Sequence, residues 1–331
     1  MSIESRSPQL PRGTKRVVIF DTNAYRDFIG RLPPAEARAK ALRLRLKEQT
    51  AGVLALANPF VIWELAAHLA EPADESYDKC LSALTALSEH TWNRNDPPGG
   101  VVVIADPETT VCRELFRKNP PAAAQNVQNL CLLAAHIKNN PPPITYPPML
   151  HNLRVFADKM NAMEKHWLED MQGVLDGCAP EIAKNWVGGE TDKETRSKLK
   201  AFFTSEAFMI AWAGVMVMRH AALVDAEIVP DKIQSMVQAM RDIFPAPFYL
   251  MSAFLQKFPE PNPLQLDNPK KKRGNYVWDT AICFTIGKTH EIENAKMYLV
   301  TGDGPIIDAA RAAKCEDRVL SLRDYLTSLE G

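Results

Sequence analysis

Residues Arg16 to Asp27 read RVVIFDTNAYRD, and the fold turns on how this stretch is taken. Val17, Val18, Ile19 and Phe20 form an unbroken run of β-branched and aromatic residues, the pattern of a short strand in a parallel sheet covered on both faces. Asp21 ends the run. Ligand sites in open α/β sheets lie just beyond the carboxyl ends of the strands, so this acid stands where chemistry is usually placed. The same residue type also caps helices, by accepting hydrogen bonds from backbone N–H groups that have no partner within the helix. Which role applies depends on whether other acids reach the same edge.

Outward from that strand, Val53 to Ala57 reads as a second buried strand. Asn58 and Pro59 suit the cap and first position of the helix that follows, FVIWELAAHLA. Glu64 and His68 are the only titratable residues in that apolar helix, and a buried carboxylate costs free energy unless something pairs with it. A cation is the natural partner for Glu64, whereas His68 suits a core or supporting position. A helix over residues 76–90 leads to Val101 to Ala105, a third buried strand, and Asp106 then reads as an ordinary helix cap. Residues 117–274 change character. Proline clusters punctuate stretches of helical periodicity over Ala122 to Lys138, Asn152 to Gly177, Lys193 to Ala222 and Asp231 to Ile243, so an all-helical insertion is expected. The α/β pattern then resumes. Trp278 to Ile286 predicts a buried helix with Asp279 in its first turn, Met297 to Val300 a fourth strand ended by Thr301-Gly302-Asp303, and Val319-Leu320 a short fifth strand.

The balance of 39 Lys and Arg against 40 Asp and Glu gives a net charge of −1, so no global field draws the protein to nucleic acid or a membrane, and any polyanion site must be local. The six cysteines show neither a CxxC pair nor zinc-ligand spacing and read as reduced, mostly buried thiols. Residues 1–15 have no apolar core of a secretory signal and predict a disordered leader, and with it a cytoplasmic protein. Ala207 to Met218, the most apolar segment, is shorter than the roughly 20 residues that cross a bilayer and predicts a core helix, with no membrane partner.

Two strands thus end in acids, Asp21 and Asp303, and two apolar helices carry one acid each, Glu64 and Asp279. In a parallel sheet the strand carboxyl ends share one edge, so the four can converge. Clustered carboxylates raise one another's pKa, and a hard divalent cation with oxygen ligands, Mg²⁺ or Mn²⁺, relieves that conflict. The arrangement resembles the PIN-domain nucleases, in VVIFDTN for Asp21, Thr22 and Asn23, NPFVIWEL for Glu64, VWDTAI for Asp279 and LVTGD for Thr301 and Asp303. The resemblance spans residues 16–116 and 275–331. It departs from a minimal domain in the long stretch between Glu64 and Asp279, which residues 117–274 fill. It implies an α/β fold, three-layer α/β/α with a central parallel sheet of four or five strands, and Mg²⁺- or Mn²⁺-dependent hydrolysis of phosphodiesters, chiefly in RNA. Asp21, Glu64, Asp279 and Asp303 would be the catalytic, metal-binding acids, with Asn23 and Thr301 orienting them. Single-stranded DNA is a second candidate substrate. An antitoxin or regulatory protein and a second copy of the chain are candidate partners, and toxin or defence effector a candidate role.

A phosphatase of the haloacid dehalogenase type also places an Asp after its first strand, but it needs a second acid where Asn23 stands. A catalytically silent RNA- or protein-binding module is the other alternative. Lys270, Lys271, Lys272 and Arg273 form the sharpest charge run in the chain and lie a few residues before Asp279, so they are candidate substrate-binding residues as well as a candidate solvated loop.

Overall fold

The computed structural model describes residues 10, 13–92, 100–121, 123–139, 147–187, 192–260, 263–266, 273–287, 291–292 and 294–330. Most of the expected leader, and Lys270, Lys271 and Lys272 of the basic run, lie outside the described residues.

The sheet is small and the chain mostly helical. Strands β1 (Arg16–Phe20), β2 (Val53–Ala55), β3 (Glu291–Ile292), β4 (Ala295–Val300) and β5 (Val319–Leu320) make it up. β1 lies between β2 and β4, β5 extends β4 on its far side, and all four run parallel. The two-residue β3 pairs antiparallel with the start of β4. Val17 to Phe20 are buried on both faces of the sheet, as the unbroken apolar run requires. The register sets Phe20 opposite Val300, so Asp21 and Thr301 leave the sheet side by side, and Asp21 N donates to the Val300 carbonyl at 3.1 Å.

The third expected strand does not form a ladder. Val101 to Ile104 are buried, but Val101 bridges Trp92 antiparallel while Val103 bridges Ala57 in parallel. Neighbours on the two sides run in opposite senses and meet it one residue at a time, so no continuous pairing builds up.

Helices α1 (Thr22–Ile29), α2 (Pro34–Thr50), α3 (Pro59–Ala67), α4 (Tyr77–His90) and α5 (Pro107–Phe116) follow the first strands. Asn58 caps α3 by accepting from Phe60 N at 2.9 Å, and Asp106 caps α5 by accepting from Thr109 N at 2.7 Å. A buried network fastens α1 to its neighbours. His90 Nε2 lies 2.8 Å from both carboxylate oxygens of Glu48, the Tyr25 hydroxyl lies 3.0 Å from His90 Nδ1, and the Tyr325 hydroxyl donates to Glu48 Oε1. From α2, the exposed Arg38 and the half-buried Arg45 pair with the buried Glu89 at 3.0 and 2.9 Å.

The helical region contains α6 (Ala123–Asn139), α7 (Pro147–Cys178), α8 (Pro180–Val187), α9 (Lys193–Phe203), α10 (Glu206–Leu223), α11 (Pro230–Ile243) and α12 (Pro245–Lys257). Four of these begin on proline, which suits a first helical turn because its missing N–H would have no intrahelical partner there. The expected helix over Lys193 to Ala222 is two helices, because Ser205 caps a new start by accepting from Phe208 N at 3.2 Å. α10 also runs further than the apolar segment that marks it. By length and composition it is the one helix among the described residues long and apolar enough to cross a membrane. It carries Glu206, Arg219 and His220, and packs Phe208, Trp212 and Val217 into a protein core.

The chain ends with α13 (Asn275–Cys283), α14 (Gly304–Ala312) and α15 (Leu322–Thr327). α13 starts three residues before its expected boundary, which moves Asp279 into the middle of the helix. Two hydrophobic cores result. One surrounds the sheet and takes in α6 residues such as Leu130 and Ile137, together with Ala246 and Leu250 of α12. The other lies among α7 to α12 and includes Val277 of α13 and Phe284, which caps that helix. α13 therefore serves both. Glu164 of α7, 3% exposed, accepts from Trp278 Nε1 at 3.2 Å, and its carboxylate occupies the space a side chain on Gly274 would need. Glycine at that position lets the start of α13 approach α7.

Candidate active site

The four acids reach one cleft of about 190 Å³, open to solvent. Asp21, Thr22 and Asn23 line it from the end of β1, Glu64 from α3, Asn275, Tyr276, Asp279 and Ile282 from α13, and Asp303 and Pro305 from the end of β4.

Each acid is held by its own local chemistry. Asp21 is 3% exposed and caps α1, with Oδ1 accepting from Ala24 N at 2.5 Å and Oδ2 accepting from the Thr301 hydroxyl. The Thr301 hydroxyl in turn accepts from Asp303 N at 2.9 Å, so one side chain ties the two strand-end acids together. Asp303 caps α14 by accepting from Ile306 N at 3.3 Å. Glu64 accepts from the Thr22 hydroxyl at 2.5 Å and has Arg26 at 4.0 Å. Asp21 and Asp303 thus cap helices and line the cleft at once, so the two roles weighed for a strand-end aspartate coincide.

Burial is the largest influence on the protonation of three of these acids. It pushes the Asp21 carboxyl up to about 7; the hydrogen bonds from Thr301 and Ala24 oppose this, and the charges of Asp303 and Glu64 add to it. It pushes Asp279 up to about 8, reinforced by Asp303, Glu64 and Asp21. Asp303 is raised by burial and pulled back by its bond from Ile306. Near neutrality the cleft therefore carries protons that ordinary carboxylates would have lost.

No protein-family model, curated protein or solved structure matches this chain.

Among the described residues, no three His, Cys, Asp or Glu side chains stand close enough together to hold a metal ion. Glu64 bonds to Thr22 and faces Arg26, while Asp21 bonds to Thr301. The set is nevertheless made of oxygen donors alone, the type that hard divalent cations take.

Thr301 stands where it can orient Asp21, whereas Asn23 is exposed on the rim. Arg273 of the basic run is committed elsewhere. It pairs with Glu260 at 2.5 Å, donates to the Pro263 carbonyl at 3.0 Å and lies 3.6 Å from the centre of the Phe258 ring. His68 pairs with Asp74 at 2.9 Å and does not line the cleft.

Three residues of the site, Arg26, Asn275 and Tyr276, were not singled out from sequence, and Thr22 was named in the motif without a role. Thr22 fixes Glu64, Arg26 supplies its positive neighbour, and Asn275 and Tyr276 stand one turn before Asp279. Among the described residues, Arg26 Nε is buried without a hydrogen-bond partner, and Nη2 donates to the weak acceptor Cys80 Sγ at 3.1 Å. The spacing of Asn275 and Tyr276 from Asp279, four and three residues on a helix, was the signal that could have found them.

Proposed function

We propose that this chain is a Mg²⁺- or Mn²⁺-dependent endonuclease of the PIN-like type that hydrolyses phosphodiester bonds in single-stranded or structured RNA. Its catalytic domain would comprise residues 16–116 and 275–331, in a three-layer α/β/α arrangement, with residues 117–274 as a helical insertion. One observation carries the proposal: four carboxylates from separate parts of the chain line one cleft at the carboxyl end of a parallel sheet, where burial and their mutual charge raise two of them to about 7 and about 8.

Asp21, Glu64, Asp279 and Asp303 would hold the ion. Bound there, a divalent cation would supply an acidified water and neutralise charge on the scissile phosphate. The chain's own residues prepare that site. Thr301 aims Asp21 Oδ2, Thr22 aims Glu64 Oε2, and Asp21 and Asp279 give up protons as the ion enters. No protein nucleophile is required. So large an insertion suits a dedicated target or a regulatory partner, and toxin or defence effector, with an antitoxin, is a candidate role.

A catalytically silent RNA- or protein-binding module is the second reading. It is favoured by the finding that, among the described residues, no three His, Cys, Asp or Glu side chains are already grouped as metal ligands.

A cleavage assay on mixed RNA and on single-stranded DNA, with Mg²⁺ or Mn²⁺ and with chelator, separates the two. Cleavage should require the ion and fall to background in Asp21→Asn and Asp303→Asn, both still folded by circular dichroism. Ion-dependent cleavage at the wild-type rate by both variants would sink the assignment. Binding without any cleavage would favour the silent module.

A further inference from the structure

We infer that Tyr276 is a stacking platform for one unpaired base of the substrate, an inference that rests on the nuclease activity proposed above. Tyr276 precedes Asp279 by three residues on α13, so the two side chains share a helix face, and both line the cleft. The ring is half-buried and braced from behind. It stacks on Phe254 with centroids 4.2 Å apart and planes 25° from parallel, and Phe258 meets it edge-on at 6.1 Å. Phe254 is buried in the second core, and Arg273, fixed by Glu260, lies over Phe258. A ring supported on one side in this way keeps its orientation without a ligand, so little rotamer freedom is lost when a second flat group joins the stack.

The surroundings select that group. The carboxylates repel anionic and acidic ligands unless cations accompany them, and they offer nothing for an aromatic ring to serve. A polynucleotide with a phosphate over the acids presents a neutral flat base close to that phosphate. In a duplex the base faces are covered by neighbouring pairs, so only a single-stranded or splayed segment can place a base on Tyr276. α12, which belongs to the helical insertion, thereby furnishes the backing of one wall of the cleft.

The test uses the full-length protein and a short single-stranded oligoribonucleotide, with one abasic site moved along it position by position. Binding is measured in Ca²⁺ and cleavage in Mn²⁺. In wild type, one abasic position should weaken binding by roughly fivefold to a hundredfold, the range of one base stacked on an aromatic ring. Tyr276→Leu should lose a similar factor on the intact oligonucleotide and become insensitive to that position, while Tyr276→Phe keeps both the affinity and the sensitivity. Asp21→Asn should lose cleavage yet keep the abasic effect, which separates base recognition from the acid site. An abasic penalty equal in wild type and Tyr276→Leu overturns the inference and leaves the nuclease assignment standing. A wild type that neither binds nor cleaves the intact strand overturns both. Thermal melting of each variant shows that the stack on Phe254 still folds.

Discussion

The cleft and the second hydrophobic core bury titratable groups in opposite ways. In the cleft, Asp21 and Asp279 are raised to about 7 and about 8, so each holds a proton that the unfolded chain would release. In the second core, burial holds His220 down at about 4 while its Nδ1 lies 2.6 Å from the Met216 carbonyl, so it stays neutral where the unfolded chain would be charged. Raising the pH stresses the first region and lowering it stresses the second. A core needs its polar group silent, whereas a site keeps groups whose charge the fold alone does not balance, and that imbalance marks where a ligand belongs.

The strongest way to break this contrast is to remove packing from one region only. Phe208→Ala deletes a buried ring of the second core and should cost about 3–5 kcal/mol, the usual range for a core Phe. Denaturant unfolding measures it, and the affinity of the cleft for Mn²⁺ should be unchanged in the folded protein. A loss of metal affinity matching the loss of stability would mean that the two regions are one cooperative unit.

The next effect is acid sensitivity. The folded-state pKa of His220 lies below its ordinary value of 6.5, so the stability it contributes is present above pH 6.5 and lost as the pH falls toward 4. The loss amounts to about 3 kcal/mol. In His220→Gln the difference in unfolding free energy between pH 7 and pH 4.5 should shrink by about 2–3 kcal/mol. An unchanged difference would place the acid sensitivity in other groups.

The third effect has the opposite sign. The folded-state pKa of Asp279 lies above its ordinary value of 3.8, so its contribution is greatest below pH 4 and declines as the pH rises through 8. Asp279→Asn should therefore match wild type near pH 4 and be more stable at pH 9, the gap opening as the pH rises from 4 to 8. Mn²⁺ should close that gap by stabilising wild type alone. A variant less stable than wild type at pH 9 would show that the Asp279 carboxylate already has its partner within the protein.

Legibility in the sequence followed the same division. β1 was visible because a strand covered on both faces must be apolar throughout, and Asp21, Glu64, Asp279 and Asp303 were visible because each interrupts an apolar context. Arg26 was hidden, since an arginine in a short surface helix looks solvated until the fold brings Glu64 beside it. Val101 to Ile104 carry the composition of a strand, but pairing depends on neighbours that composition does not contain. Pro245 reads as punctuation because proline ends and starts helices alike, so α12 was missed, and with it the backing of Tyr276. Ser205 likewise divides an otherwise continuous helical pattern with one side-chain hydrogen bond.

The bond from Thr301 to Asp21 joins residues 280 positions apart. β1 leaves the ribosome long before β4, so it waits for β4 to complete its pairing and for Thr301 to orient its acid. A nascent chain that stops short of β4 holds Asp21 without Asp303, beside an open strand edge. Whatever the cleft does, it cannot begin until β4 and the acid that follows it have been made.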